Sequence, residues 1–159
     1  MLLYHGSNVA VETPQILKTD RKLDFGTGFY LTSSYEQAEK WAILTARRRE
    51  NGIPTITVYE VDETAMDRLK VHRFDGAGYE WLKYVSANRK NIELNDDSDI
   101  VFGAVANDRT MPVISLYFAS IYDEEETIKR LLLQKLRDQY AFKTENALGI
   151  LTVKEVILK

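Results

Sequence analysis

Asp24-Phe25-Gly26-Thr27-Gly28-Phe29-Tyr30-Leu31-Thr32 is the stretch from which the fold is read. Two glycines one residue apart permit a tight turn and let backbone amides approach a bound group closely. Behind them, Phe29 to Thr32 reads as a short strand. Neighbouring strand residues face opposite sides, so Phe29 and Tyr30 cannot share one core, and one of the two rings is left for stacking. The stretch has no third glycine and no helix start, so it is not a Rossmann fingerprint; a phosphate-loop Gly-Lys-Ser/Thr is missing too. Its blander reading is a glycine turn before a core strand. Downstream, Ser33 or Ser34 caps a helix, with Glu36 or Gln37 completing a capping box. Ala38, Trp41, Ala42 and Thr45 form its inner face, Arg47, Arg48 and Arg49 suit its last turn, and Asn51-Gly52 stops it.

Upstream, Met1 to Tyr4 is a short apolar strand running into the turn cluster His5-Gly6-Ser7-Asn8, and Thr13 to Asp24 is irregular. Further along, Thr55 to Val61 alternates β-branched residues and reads as a strand, with another near Leu69 to Phe74. Trp81, Leu82, Tyr84 and Val85 imply a helix ending near Asn88. Asp99 to Ala106 is a buried strand before the turn Asn107-Asp108. Pro112 suits the first turn of a helix burying Val113, Leu116, Tyr117 and Ser120 or Ile121. Asp123 and Glu126 cap the next helix, which carries Glu125/Lys129 and Glu126/Arg130 pairs. Strands are expected at Tyr140 to Thr144 and Ile150 to Leu158. Strands spread along the whole chain, with helices in clusters between them, favour an α+β fold over a doubly wound sheet.

The chain of 159 residues, 45% hydrophobic and 11% aromatic, fits a single domain over 1–159 and rules against disorder. With no Cys and two His, thiolate zinc sites, disulfides and a multi-histidine metal centre fall away, so no metal is expected. A net charge of −3 argues against a broad duplex-binding surface. No apolar run approaches the roughly 20 residues that span a bilayer, and the N-terminus does not read as a signal peptide. A soluble, cytoplasmic protein without a membrane partner is the expectation.

Taken singly, His5-Gly6-Ser7 reads as a histidine at a strand end, and Gln139 as a solvated amide leading a strand. Their order says more. The Tyr-His-Gly-Ser strand end, the Phe-Gly-x-Gly-Phe-Tyr-Leu-Thr segment, the Ser-capped helix with Ala and Trp, and the late Gln-led strand together resemble the ADP-ribosyltransferase superfamily. Within it, the chain looks like small stand-alone bacterial members, uncharacterised or toxin-associated. The likeness runs from Leu2 to about Leu148.

What the resemblance implies is a split β-sheet core with surrounding helices and a His-Tyr-Glu/Gln catalytic set on three strands. His5, Tyr30 and Gln139 match its positions, with Gln139 standing where Glu is commoner. His5 would hold the adenosine-side ribose of NAD, donating a hydrogen bond to a ribose hydroxyl. Gly6 would bind the nicotinamide carboxamide through its backbone, and Tyr30 would line the nicotinamide pocket. Ser7, Phe25, Gly26, Gly28, Thr32 and Trp41 complete the implied binding set. An amide at 139 cannot deprotonate an acceptor, so Asp108, or alternatively Glu145 or the target itself, would supply that base.

The activity implied is NAD-dependent transfer of ADP-ribose to an intracellular macromolecule, protein or nucleic acid, by a glycosyltransferase of a toxin–antitoxin or defence system. An antitoxin protein would then be a partner. The alternatives are an NAD- or ADP-ribose-binding module with little or no turnover, acting through protein contacts, and a structural interaction protein. Gln139 is further expected to share a cleft with His5 and Tyr30, and to be dispensable to the fold.

Overall fold

The computed structural model describes residues 1–159 except Asp20 and Asp108. It is an α+β structure of two sheets. The first has the order β1 (Leu2–Ser7), β3 (Thr55–Val61), β7 (Leu151–Leu158), antiparallel throughout. The second has the order β2 (Phe29–Leu31), β6 (Asp138–Phe142), β5 (Ile100–Ala104), β4 (Val71–Arg73), antiparallel except for the β4–β5 pair. That parallel pair is joined through α3 (Tyr79–Arg89), the crossover that parallel neighbours require.

Strand alternation sorts the side chains into three packed layers. Leu3, Tyr59 and Val61 of the first sheet meet Phe29, Leu31, Ile100, Tyr140 and Phe142 of the second, and these close the inter-sheet core. On its other face the second sheet offers Val101, Ala141 and Tyr30 to Phe25, to Trp81, Leu82 and Val85 of α3, to Ile114 of α4 (Met111–Phe118) and to Leu131 of α5 (Glu124–Leu132). On the outer face of the first sheet, Ile56 and Val58 pack under Ala38 and Ala42 of α1 (Tyr35–Arg49). Phe29 and Tyr30 therefore do part company, one ring to each side of β2.

Helix α1 is capped by Ser34, whose side chain accepts from the Gln37 N–H at 3.3 Å. It lies so close to β1 that a Cβ on Gly6 would stand 1.9 Å from the Ala38 carbonyl oxygen. That proximity selects the small residues Ala38 and Ala42 for the contact, and Trp41 and Thr45, expected on the inner face, are left only half-buried. Likewise α4 buries Ile114 fully, while Val113, Leu116 and Tyr117 are less buried and Ile121 lies exposed beyond its end. Strand β6 starts two residues before the expected Tyr140, because Asp138 and Gln139 pair with Ala104 and Gly103 of β5. Thr144, expected as its last residue, caps the short α6 (Glu145–Leu148) by accepting from the Ala147 N–H at 3.2 Å. Asp62 does the same for α2 (Glu63–Met66). A helix of four residues has too little periodicity to be read from sequence.

Candidate functional site

The two sheets touch along β1 and β2 at one isolated bridge. Tyr4 donates to the Thr32 carbonyl at 2.8 Å and accepts from the Thr32 N–H at 3.0 Å. In an antiparallel ladder the residue two further on turns its N–H and C=O to the same side, so Gly6 aims both at β2. The ladder does not continue there. The Tyr30 carbonyl, the group that would answer Gly6, instead accepts from Nδ1 of His5 at 2.7 Å. The imidazole thus wedges the strands apart, stacked on the Phe29 ring at 4.3 Å and 24°.

A carbonyl only accepts, so His5 carries its proton on Nδ1. Burial lowers its pKa to about 4, opposed by the Tyr30 carbonyl and helped by the nearby Arg49 guanidinium. The ring is therefore neutral at pH 7 and presents Nε2 as an acceptor. With Nδ1–H engaged by the Tyr30 carbonyl, the neutral ring has no free N–H for the donated hydrogen bond expected of it. Asn8 holds Arg49 in place, accepting from its Nη1 at 3.0 Å.

Across β2 the arrangement is different. Tyr30 pairs with Ala141, and Gln139 lies two residues from Ala141 on the same strand, so Tyr30, Ala141 and Gln139 share one face of the second sheet. His5 lies on the other side of β2, in contact with Phe29, and meets this face only through the Tyr30 backbone. The single cleft expected to hold His5, Tyr30 and Gln139 is therefore not formed: strand alternation puts Tyr30 and Gln139 on one face of β2 and the His5 ring on the other. Gln139 is buried, 4% exposed. Its Nε2 donates to Asp24 Oδ2 at 2.9 Å and to the Ala104 carbonyl at 3.2 Å. Asp24, 5% exposed, also accepts from the Ala106 N–H at 3.0 Å and from Nε of Arg89 at 2.8 Å, with Nη2 of Arg89 closer still. Gln139 is therefore part of a buried network, and the expectation that the fold is indifferent to it does not hold.

The family model described as "Protein of unknown function (DUF3990)" matches residues 1–153. The chain belongs to the DUF3990 family. The match runs from β1 into β7 and takes in both halves of the site. No curated protein and no solved structure matches the chain.

In this DUF3990 chain the remaining expected residues have definite places. The Tyr30 hydroxyl donates to the Gly26 carbonyl at 2.6 Å and accepts from the Phe25 N–H at 3.0 Å, and burial pushes its pKa well up. Its edge is pinned to the glycine turn. Phe25 is a core ring against Phe74 and Tyr84, not a free stacking platform. Gly26 takes φ +76°, which a side chain disfavours. At Gly28 a Cβ would stand 3.1 Å from the Phe142 carbonyl. The Thr32 hydroxyl is buried, donating to Asp138 at 3.1 Å and accepting from the Ser34 N–H at 3.0 Å, so it ties β2 to β6. The Ser7 hydroxyl is buried against Asn8 at 3.3 Å. Trp41 sits half-buried on α1. Glu145 is exposed beyond the far end of β6 from Gln139. Asp108 lies outside the described residues.

Asp24, Arg89, Asn8 and Arg49 escaped the sequence reading as site residues. Asp24 stood in plain view before the glycine turn, yet its partners lie 65 and 115 residues away, and no spacing announces them. Two cavities lie nearby, and neither of them is lined by His5, Gly6, Tyr30 or Gln139. One of about 310 Å³ lies beside Gly26 and Thr27, lined by Tyr84, Asn88, Asp96 and Lys143. The Lys143 amine donates to the Phe25 carbonyl, and burial lowers its pKa. The other, about 440 Å³, opens at the heads of α1 and β6 among Ser34, Tyr35, Arg137 and Asp138. Among the described residues, no cluster of three or more His, Asp or Glu is placed to hold a metal, and no helix is long and apolar enough to cross a membrane.

Proposed function

We propose that this protein is an NAD-dependent ADP-ribosyltransferase, with NAD as the donor and an intracellular macromolecule, protein or nucleic acid, as the acceptor. The observation that carries the reading is the parting of β1 and β2 just past the Tyr4–Thr32 bridge, with the His5 imidazole wedged onto the Tyr30 carbonyl. That parting leaves a backbone donor and acceptor on Gly6 side by side, which is what a planar carboxamide such as that of nicotinamide needs. It also leaves Nε2 of His5 to accept from a ribose hydroxyl. Two separate sheets that meet at one bridge are compatible with the split β-sheet core that the resemblance implies.

The chemistry asked of the site is glycosyl transfer. The bond from ribose C1′ to nicotinamide breaks, its electron pair leaves with nicotinamide, and the sugar passes through an oxocarbenium-like state. An acceptor oxygen or nitrogen then bonds to C1′ and passes its proton to a base other than Gln139, whose amide cannot take it: Asp108, Glu145 or a group of the target itself. His5, neutral, orients the adenosine-side ribose, and Tyr30 walls the leaving group. Gln139 offers its amide oxygen to the cationic sugar, which gives less electrostatic help than a carboxylate. In a cell the activity would serve a toxin–antitoxin or defence system from the cytoplasm, with an antitoxin as partner.

A second reading, an NAD- or ADP-ribose-binding module, draws on that same missing carboxylate at position 139. Isotope-labelled NAD, followed by intact-mass measurement of protein and nucleic acid after induction, separates the two. A macromolecule heavier by ADP-ribose supports the transferase. Binding of NAD without any labelled product leaves the module, and absence of NAD binding removes both.

A further inference from the structure

We infer that Asp24, backed by Arg89, is the positioning residue of Gln139, and that position 139 of this chain is built for an amide rather than a carboxylate. The inference rests on the proposed function insofar as Gln139 faces the donor sugar; the geometry behind it stands apart. Asp24 divides its two oxygens between two tasks. Oδ1 takes the Arg89 guanidinium, while Oδ2 takes the Ala106 N–H and Nε2 of Gln139. The second hydrogen on Nε2 goes to the Ala104 carbonyl at 3.2 Å. Both amide hydrogens are thus spent on pure acceptors, which fixes the amide flip. The amide oxygen takes no part in this network.

A carboxylate at 139 would put an acceptor where a donor is required twice over. It would face the Asp24 carboxylate at hydrogen-bond distance and the Ala104 carbonyl beyond, in a site where Asp24 is 5% exposed. Like charges so placed cannot both ionise comfortably. Gln139 is therefore not a weakened glutamate. Restoring the carboxylate alone would break the network that holds the side chain. Asp24 matters to the reaction through Gln139, by holding its oxygen toward the sugar, and Arg89 holds Asp24.

The experiment takes the full chain as wild type, Gln139→Glu, Asp24→Asn and the double variant, and measures urea unfolding from pH 4.5 to 8 with NAD turnover. Gln139→Glu is expected to lose stability, most at pH 8 and least near pH 4.5, where the introduced carboxyl, once protonated, can donate to Asp24 in place of the amide. Asp24→Asn is expected to lower kcat about tenfold or more with KM within about threefold, a loss of orientation rather than of binding. In the double variant the introduced asparagine amide can donate to the introduced carboxylate, so the pH-dependent part of the loss should shrink. A Gln139→Glu protein as stable as wild type at pH 8, or one gaining turnover without a change at position 24, overturns the inference. So does a folded Asp24→Asn protein with wild-type kcat. Wild-type protein that neither binds nor turns over NAD removes the proposed function and the orienting role together, while the stability series still decides whether position 139 demands an amide.

Discussion

The two sides of β2 are built on opposite plans. Toward β1, polar groups are left over: the Gly6 backbone aims at a strand that has moved away, and Nε2 of a neutral His5 has no proton to give. Toward β6 the charges and donors are paired, with Asp24, Arg89, the Gln139 amide hydrogens and the Ala106 N–H each answering another, and only the Gln139 amide oxygen stands outside that network. One side has the unfinished hydrogen bonding of a ligand site, the other the closed hydrogen bonding of a support. A binding pocket needs both, because donors placed on a yielding backbone cannot orient anything.

The largest test of that contrast is Asp24→Ala. It strands a buried amide and a guanidinium that is 22% exposed; breaking a fully buried pair typically costs about 3–5 kcal/mol, and the solvent left to Arg89 puts this loss at the lower end. Urea unfolding should show a loss of that order, well above the loss from His5→Ala; equal losses would erase the distinction between the two sides. Gly6→Ala comes next. Its methyl would meet the Ala38 carbonyl, so α1 must move, at a cost of about 1–3 kcal/mol or more. A neutral Gly6→Ala would mean that α1 does not press on β1 as described.

Acid separates the sides further. His5 has a folded pKa of about 4 against 6.5 in an unfolded chain, so the unfolded state binds the extra proton between those values. The His5 contribution is complete above about pH 6.5 and is lost as pH falls toward 4, by about 1–3 kcal/mol across the window. His5→Phe should flatten that part of the stability curve, and an unchanged slope would place the titration elsewhere. The smallest expected effect is that of Tyr30→Phe, which removes the bonds to Gly26 and Phe25 for about 1–2 kcal/mol while keeping the ring. NAD affinity by calorimetry should barely change in that variant, whereas Tyr30→Ala should weaken it by about 1–3 kcal/mol.

Legibility in the sequence followed the same divide. The α+β class, the Ser34-capped helix, the Asp123-capped helix and the opposed rings of Phe29 and Tyr30 could be read because local periodicity and capping residues encode them. The wedge at His5 could be anticipated only as a histidine at a strand end, since the parting of β1 and β2 depends on where the second sheet lies. The Asp24 network was illegible: it joins a loop, a helix end and a strand through contacts that no local pattern records. The same holds for Trp41, whose inward place was taken by Ala38 and Ala42 once α1 closed on Gly6.

With only two histidines in the chain, nitrogen-15 NMR of the imidazoles addresses the central claim most directly, His72 serving as the internal control. At pH 7 His5 should appear as the neutral form protonated on Nδ1, and adding NAD should move its Nε2 signal while that of His72 stays in place. A His5 protonated on Nε2, or signals from both rings that ignore NAD at saturating concentration, would contradict the account.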